Sequence, residues 1–291
     1  MRILGIWAAA LATLLLSSVV HAAACCGGGQ SLGVAITGEE STRFRYAQGL
    51  ALVSGRSLDF GTAIDSRNMA TRWSGQLSVA HALSDRWQVA LGTGWERNDR
   101  GHLGTKDSSL ASTYVLNRNF LYSAWEPEVF LSATLLVPTG TSFYDDRSRA
   151  TDDALWRGKL TAQASKTFLT WDWSLMLGYT APGARDFGDL RFERGSQMGA
   201  ELSFGHTPNF ASSWHLNLSL GFESTAANTV TTSQSTQHSL RTYVFPVTAA
   251  LAYAFDETQS LVSGYSTNRW FPSQNTDLQQ SFVIAFTQRW L

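Results

Sequence analysis

The sequence predicts an all-β protein, a transmembrane antiparallel up-and-down β-barrel of about twelve strands. Three observations lead to this fold class. Segments of roughly ten residues alternate between large apolar and small or polar side chains, which is the period of a strand with two unlike faces. The spacers between these segments alternate between short and long. Aromatic side chains gather near both ends of the segments, as they do at the two interfaces of a membrane barrel.

The composition agrees with a barrel whose strands face lipid on one side and a polar interior on the other. The chain has 291 residues with 22 basic and 23 acidic side chains, so its charge gives no footprint for nucleic acid. Charged residues make up 15% of the chain and aromatic residues 12%, whereas about 25% charged residues is usual in soluble domains. A secreted β-sandwich is the alternative fold.

The N-terminus predicts export. Arg2 precedes an apolar stretch from Ile3 to Val20, and small residues follow at positions 22–24. This pattern is typical of a secretory signal peptide, so we assign residues 1–24 to it, 25–41 to a flexible periplasmic segment and 42–291 to the barrel. No later apolar run approaches the roughly 20 residues that a membrane helix needs.

Cys25 and Cys26 are the only cysteines, and Gly27 to Gly29 follow them. One interpretation is a flexible exported N-terminus. The other is lipidation of Cys25, although Ala22 stands where a Leu or Val usually precedes a lipoprotein cysteine. No further Cys or His lies at a spacing suited to a metal, and we expect no metal and no cofactor.

Twelve alternating segments follow. In the segment at 213–223, Trp214, Leu216, Leu218, Leu220 and Phe222 share one face, which is the clearest case of the pattern. The predicted strands are 42–53, 71–83, 87–96, 108–117, 121–137, 154–167, 171–180, 195–205, 213–223, 240–255, 260–267 and 282–290.

The spacers sort into two alternating classes, and a β-sandwich gives no reason for such sorting. Membrane barrels do, because their periplasmic turns are short and their extracellular loops are long. The short spacers are 84–86, 117–120, 168–171, 206–212 and 256–259. The long spacers are 54–70, 97–107, 138–153, 180–194, 224–238 and 268–278.

The aromatic residues predict two girdles on the lipid-facing surface. Trp and Tyr suit the headgroup level because each has an apolar body and a polar tip. In the third and ninth strands the two aromatic ends are eight residues apart, which spans roughly 20 Å along a tilted strand. The predicted girdle contains Trp73, Trp87, Trp95, Trp125, Trp156, Trp173, Trp214, Phe222 and Trp290.

The opposite face of each strand would line the lumen. Small side chains separate charged ones there, and twelve strands enclose more room than the eight that side chains just fill. We therefore expect a narrow, water-filled passage of mixed charge, unless a loop or the N-terminal segment folds in as a plug. The charges would also pair across neighbouring strands. The predicted lumen residues are Arg72, Gln76, Glu96, Glu126, Glu128, Arg157, Lys159, Asp172, Glu201, His215, Asn217, Glu223 and Arg289.

A catalytic role is not expected. Twelve-stranded outer-membrane phospholipases use a Ser-His-Asn arrangement whose His is followed closely by Asn-Gly, and no His is followed that way here. His215 and Asn217 face the same way on one strand, but no activated Ser accompanies them.

Three stretches resemble Gram-negative outer-membrane β-barrels of the transporter type, distantly similar to barrels that pass aromatic and other hydrophobic compounds. They are Cys25 to Gly29 followed by Ile36 to Glu39, the turn and strand from Leu83 to Val89, and Leu136 to Gly140. The C-terminal alternation from Phe282 to Trp290 resembles the strand that closes such barrels and is read by the assembly machinery. The resemblance implies transport of small solutes, hydrophobic ones among them. A structural barrel or one whose loops bind a partner is the alternative.

We predict that deleting Trp290 and Leu291 sharply lowers assembly, because the closing strand would lose its terminal aromatic residue. The level of heat-modifiable barrel in outer-membrane fractions measures this. A normal level after the deletion would contradict the predicted role of the last strand.

Overall fold

The computed structural model describes residues 40–59, 62–97, 101–117, 125–141, 154–209 and 213–290. The predicted signal peptide lies outside these residues, as do Cys25, the predicted lipidation site, and Leu291. The described residues contain strands and no helix. The strands are β1 (Thr42–Asp59), β2 (Thr62–Ala82), β3 (Trp87–Arg97), β4 (Leu103–Thr105), β5 (Ser108–Asn117), β6 (Glu128–Val137), β7 (Arg157–Thr167), β8 (Trp171–Thr180), β9 (Gly183–Phe187), β10 (Leu190–Arg194), β11 (Gln197–His206), β12 (Trp214–Thr225), β13 (Thr229–Thr232), β14 (Thr236–His238), β15 (Thr242–Val244), β16 (Val247–Ala254), β17 (Gln259–Thr267) and β18 (Thr276–Trp290).

Twelve of the described strands form the wall of a closed antiparallel barrel. Each wall strand pairs with the next along the chain, in the order β1, β2, β3, β5, β6, β7, β8, β11, β12, β16, β17 and β18. The barrel closes because β1 pairs with β18 from Thr42 opposite Trp290 to Ser57 opposite Thr276. Closure leaves no unpaired edge in the wall, which a sheet in lipid requires. The predicted fold class and strand number are confirmed.

No helix in the described part of the chain is long and apolar enough to cross a membrane.

The strand predicted at 240–255 is divided in two. β15 ends at Val244 and β16 begins at Val247, so Phe245 and Pro246 interrupt the ladder. Pro246 has no N–H to donate to a neighbouring strand. Its carbonyl still accepts a hydrogen bond from the Gly221 N–H at 2.8 Å, which holds the break against β12.

The long spacers contain more strand than the sequence predicted. β1 continues to Asp59 and β2 starts at Thr62, so the hairpin extends beyond the predicted wall. Within the spacers at 180–194 and 224–238, the order β14-β13-β10-β9 forms a separate four-stranded sheet. The spacer predicted at 224–238 contains β13, which pairs with β10 and β14, while the residues of β14 are exposed.

Two of the short turns are fixed by local side-chain hydrogen bonds. Asp256 Oδ1 accepts bonds from the Thr258 hydroxyl, the Thr258 N–H and the Gln259 N–H, each at 2.7 Å. These donors lower the pKa of the Asp256 carboxyl, the Thr258 hydroxyl most strongly. Ser84 Oγ accepts the Trp87 N–H at 3.1 Å in the turn before β3. Both residues supply the turn bonds that keep these connections short.

The outer surface of the wall is apolar. Alternate positions on β12 are exposed and carry Trp214, Leu216, Leu218 and Leu220, while the positions between them are buried. Aromatic rings meet across neighbouring strands near both ends of the wall. Near the short turns, the ring centroids of Trp214 and Tyr253 are 4.6 Å apart. Near the long loops, those of Tyr265 and Phe282 are 5.0 Å apart.

The predicted girdle residues that face outward are Trp73, Trp87, Trp95, Trp125, Trp156, Trp173, Trp214, Phe222 and Trp290, of which Trp95, Trp173 and Phe222 are half-buried and the others exposed. Trp171, two residues before Trp173 on β8, also faces outward. Its ring stacks on that of Phe168, with ring centroids 3.9 Å apart. Trp171 stands where the predicted short spacer 168–171 meets the predicted strand 171–180, and in the structure it begins β8. An exposed apolar band of this kind, on a closed barrel, places the protein in the bacterial outer membrane.

Trp95 lies flat on the outer wall because its neighbour is a glycine. A Cβ at Gly75 would be 2.1 Å from Cζ2 of Trp95, so only glycine leaves room for the ring. From this position the Trp95 ring reaches Tyr46 on β1, with ring centroids 6.1 Å apart. The contact therefore bridges three strands across β2.

We predict that Gly75→Ala lowers the stability of the barrel by about 1–3 kcal/mol, because the methyl group displaces the Trp95 ring. The measurement is the temperature at which the detergent-purified barrel loses its heat-modifiable mobility. Gly158→Ala is the matched control, since a Cβ at Gly158 meets nothing within 4 Å. Equal transitions for the two variants would contradict the packing role of Gly75.

Candidate functional site

The candidate site is the lumen, which the inward faces of the wall strands enclose. We call the half toward the chain ends and short turns the lower half, and the half toward the long loops the upper half. Most described inward side chains of the lower half are buried, whereas several of the upper half, such as Arg72 and Glu223, are exposed. Arg157, Ser109 and Thr180 are buried inward residues of the upper half. The buried lower set includes Arg43, Gln88, Thr113, Val115, Phe130, Asp172, His215, Asn217, Ala285 and Arg289.

One charged group of the upper half lies on β7, β11 and β12. Lys159 interacts electrostatically with Glu201 and Glu223, and Glu201 is hydrogen-bonded to Ser219. Two glycines lie beside these side chains on the wall. A Cβ at Gly178 would be 3.8 Å from Cε of Lys159, and one at Gly199 would be 3.8 Å from Cγ of Glu223. Glu223 is exposed, so this group borders the open part of the lumen.

A second charged group lies on the opposite part of the upper wall. Glu96 on β3 pairs with Lys106 at 3.0 Å and approaches Arg72 on β2 at 4.0 Å. At the upper rim Arg157 donates to Gln197 Oε1 at 2.9 Å and to the Ala181 carbonyl at 3.4 Å. Among the described residues, basic and acidic side chains therefore occur together on both sides of the upper lumen.

Apolar side chains fill part of the lower half. Phe130 on β6 and Val115 on β5 pack together and are both almost completely buried. On the opposite side of the lumen, a second buried cluster contains Ala47, Ala250, Val262 and Ala285. These positions face inward, so apolar side chains occupy part of the lower lumen.

Buried polar side chains complete the lower half beside β8 and β12. His215 Nε2 is 3.4 Å from Asp172 Oδ2, and His215 Nδ1 is 3.0 Å from the Thr207 hydroxyl. Both side chains lie over Gly205 on the strand between them. A Cβ there would be 2.3 Å from Asp172 Oδ2 and 2.5 Å from His215 Cε1, so glycine is required at this position.

The charged group nearest the chain ends consists of Glu40, Arg43 and Arg289. Glu40 Oε2 accepts bonds from Arg43 Nη2 at 2.6 Å and from Arg43 Nε at 3.0 Å. Glu40 Oε1 is 3.4 Å from Arg289 Nε. All three are buried, and a buried charge set of this kind is strongly destabilised by loss of one partner, by about 3–5 kcal/mol.

Sequence reasoning missed two members of this group. Arg43 lies between the outward positions Thr42 and Phe44 of the first strand, so the alternation alone could have assigned it to the lumen. Glu40 lies before the first strand, and no periodic pattern could have found it.

The predicted lumen residues differ in position. Arg72, Glu96, Arg157, Lys159, Glu201 and Glu223 lie at inward positions of the upper half. Gln76 lies between the halves, directly opposite Ala47 of the lower cluster. Glu128, Asp172, His215, Asn217 and Arg289 lie at inward positions of the lower half and are buried. Glu126 differs, because β6 begins at Glu128 and leaves Glu126 exposed in the preceding segment. In the described part of the chain no three His, Cys, Asp or Glu side chains lie close enough to hold a metal ion.

Comparison with solved structures gives the same architecture. An outer membrane channel from Pseudomonas putida F1 superposes with a TM-score of 0.70 at 17% sequence identity. The superposition covers 91% of this chain and 100% of that one. The NanC porin superposes with a TM-score of 0.51 at 10% identity, over 85% of this chain and 100% of that one. No protein-family profile matches the chain, and no curated protein matches it. The chain has the fold of a Gram-negative outer-membrane β-barrel.

We predict that Phe130→Ala destabilises the barrel by about 3–5 kcal/mol, because it leaves a cavity in the packed lower lumen. The side chain of Phe130 is 2% exposed. Leu131→Ala is the control, since Leu131 is the next residue on β6, faces outward and is 44% exposed. The heat-modifiability transition of both variants provides the measurement, and a Leu131→Ala effect as large as that of Phe130→Ala would contradict a packed lower lumen.

Proposed function

We propose that the barrel is an outer-membrane channel for the passage of small polar solutes, and that its role is passage rather than catalysis. The observation that supports this most directly is the contrast between the two halves of the lumen. Inward side chains such as Arg72 and Glu223 are exposed above, while most described inward side chains below are buried. A solute from outside the cell would enter at the upper half and meet the narrower part of the lumen near the periplasmic end.

The character of the upper wall supports polar solutes over hydrophobic ones. Lys159, Glu201 and Glu223 interact on one side, and Glu96 pairs with Lys106 on the other. An apolar solute would have to displace water from these charged groups and leave them poorly solvated, which is costly. A polar solute replaces that water with hydrogen bonds of its own.

The mixed charges also bear on ion preference. Each carboxylate of the upper lumen has a basic side chain within reach, so the local fields of the two signs largely offset each other. A passage of this kind admits small cations and anions with little discrimination. The expected channel is therefore narrow and weakly selective.

Conductance of the purified protein in planar lipid bilayers tests the proposal. We expect discrete but small steps in potassium chloride, with a reversal potential near zero in a salt gradient. Swelling of vesicles that contain the protein in an uncharged polar solute such as arabinose provides the second readout. Silent bilayers together with vesicles that do not swell would contradict a channel role, and swelling confined to apolar solutes would contradict the polar class.

We predict that Glu201→Gln combined with Glu223→Gln lowers the permeability of potassium relative to chloride by about two- to threefold, since Lys159 would lose both neighbouring carboxylates. The reversal potential in a potassium chloride gradient measures the change. Glu257→Gln is the control, because Glu257 is exposed in the short turn before β17 and lies outside the lumen. An unchanged reversal potential in the double variant would exclude these carboxylates from the ion path.

A further inference from the structure

A groove lies on the outer surface of the wall near the long loops, where β1, β2, β3 and β4 are neighbours. Its volume is about 260 Å³, and it is lined by Gln48, Trp73, Ser74, Trp95, Arg97 and Leu103. In the ladders, Trp73 lies opposite Arg97 and Arg97 lies opposite Leu103, so these three share one face. That face is the outward one, because the adjacent residue Glu96 faces the lumen. The groove therefore opens toward the membrane.

The sides of the groove are apolar. Trp73 is 54% exposed and Leu103 is 61% exposed, while the ring of Trp95 lies against the wall at Gly75. Outward side chains of a barrel in the outer membrane contact lipid, and tryptophan rings mark the headgroup level. The groove is thus at the depth where the acyl chains of a lipid meet its headgroup.

Arg97 brings a positive charge to the upper end of the groove. It is the one charged side chain among the lining residues, and it is exposed. In the part of the chain that the structure describes, its Nε donates to the Gly101 carbonyl at 3.1 Å, and no carboxylate pairs with it. Gly101 has a φ of 82°, and a Cβ there would be 3.3 Å from Arg97 Nη2. The loop therefore orients the guanidinium through Nε and leaves its other nitrogens to bind an anion.

Gln48 brings an amide to the same outward surface, at a lower level than Arg97. It lies opposite Gly75, which in turn lies opposite Trp95, two residues below Arg97 on β3. Two residues of a strand span about 7 Å. The Gln48 side chain is exposed and donates one N–H to the Tyr46 hydroxyl. An amide facing hydrocarbon costs free energy unless it is hydrogen-bonded, and the ester or amide linkages of a lipid lie just below its phosphate.

We propose that this groove binds one anionic lipid of the outer leaflet. The phosphate lies at Arg97, the linkage groups lie at Gln48, and acyl carbons lie against Trp73 and Leu103. Charge complementarity selects the class, because a guanidinium group binds phosphate through two parallel hydrogen bonds. The long loops are on the extracellular side, so the lipid is a phosphorylated glycolipid of the outer leaflet. This site is separate from the lumen and does not depend on whether the barrel conducts.

Native mass spectrometry of the purified barrel with added lipid A, a diphosphorylated and acylated disaccharide, measures the binding. We expect wild type to retain one lipid, and Arg97→Gln to raise the dissociation constant about tenfold, since a hydrogen bond to a charged group is lost. Arg191→Gln is the control and should bind as wild type does. Arg191 lies on the separate four-stranded sheet and already pairs with Glu193 at 2.8 Å. Failure of wild type to retain lipid A, or equal binding by Arg97→Gln, would overturn the inference.

Thermal stability distinguishes a bound lipid from a bound free anion. Lipid A should raise the heat-modifiability transition of wild type by several degrees, because it binds the folded barrel, whereas inorganic phosphate at the same concentration should not. Leu103→Ala should reduce this rise. Leu160→Ala is the matched control, since Leu160 is 62% exposed on the outer face of β7, away from the groove. An equal rise with inorganic phosphate would exclude a lipid site, and equal effects of the two leucine variants would exclude acyl contacts in the groove.

Discussion

The pairing of β1 with β18 is the interaction on which the rest of the structure depends. In lipid every backbone N–H and C=O must find a partner within the protein, so a sheet survives there only when its first and last strands meet. β1 and β18 pair over nearly their full length, from Thr42 opposite Trp290 to Ser57 opposite Thr276. Once the sheet is closed, each inward position is committed to the lumen and each outward position to lipid. The exposed leucines of β12 and the buried residues between them follow from this single constraint.

Closure also explains why the interior differs from end to end. Inward residues of the upper half include Lys159 and Glu223, which lie beside Gly178 and Gly199. In the lower half, Phe130 and Val115 pack together on one side of the lumen, and small residues cluster on the other. A wall of constant strand number can therefore enclose a lumen of varying width, because side-chain size sets the free cross-section.

The period-two pattern predicted the wall well and the connections poorly. β5 and β8 have the bounds that alternation indicated, 108–117 and 171–180, because every second residue there must face lipid. Pro246 broke a strand that the apolar pattern alone had continued, since periodicity carries no information on backbone donors. The hairpins at 183–194 and 229–238 lie beyond the wall, where water on both faces removes the alternation that reveals a strand. Of the lower lumen, the sequence indicated Asp172, His215 and Arg289 by parity, but not which groups they would meet, because those contacts join strands that are distant along the chain.

Glu40 shows what the closure adds to the chemistry of the lumen. Two basic residues in register across neighbouring strands would weaken the ladder that holds the barrel shut. The Glu40 carboxylate contacts both arginines from outside the ladder and offsets part of this repulsion without taking a place in the wall. A residue that precedes the first strand therefore contributes to the stability of the seam that closes the barrel.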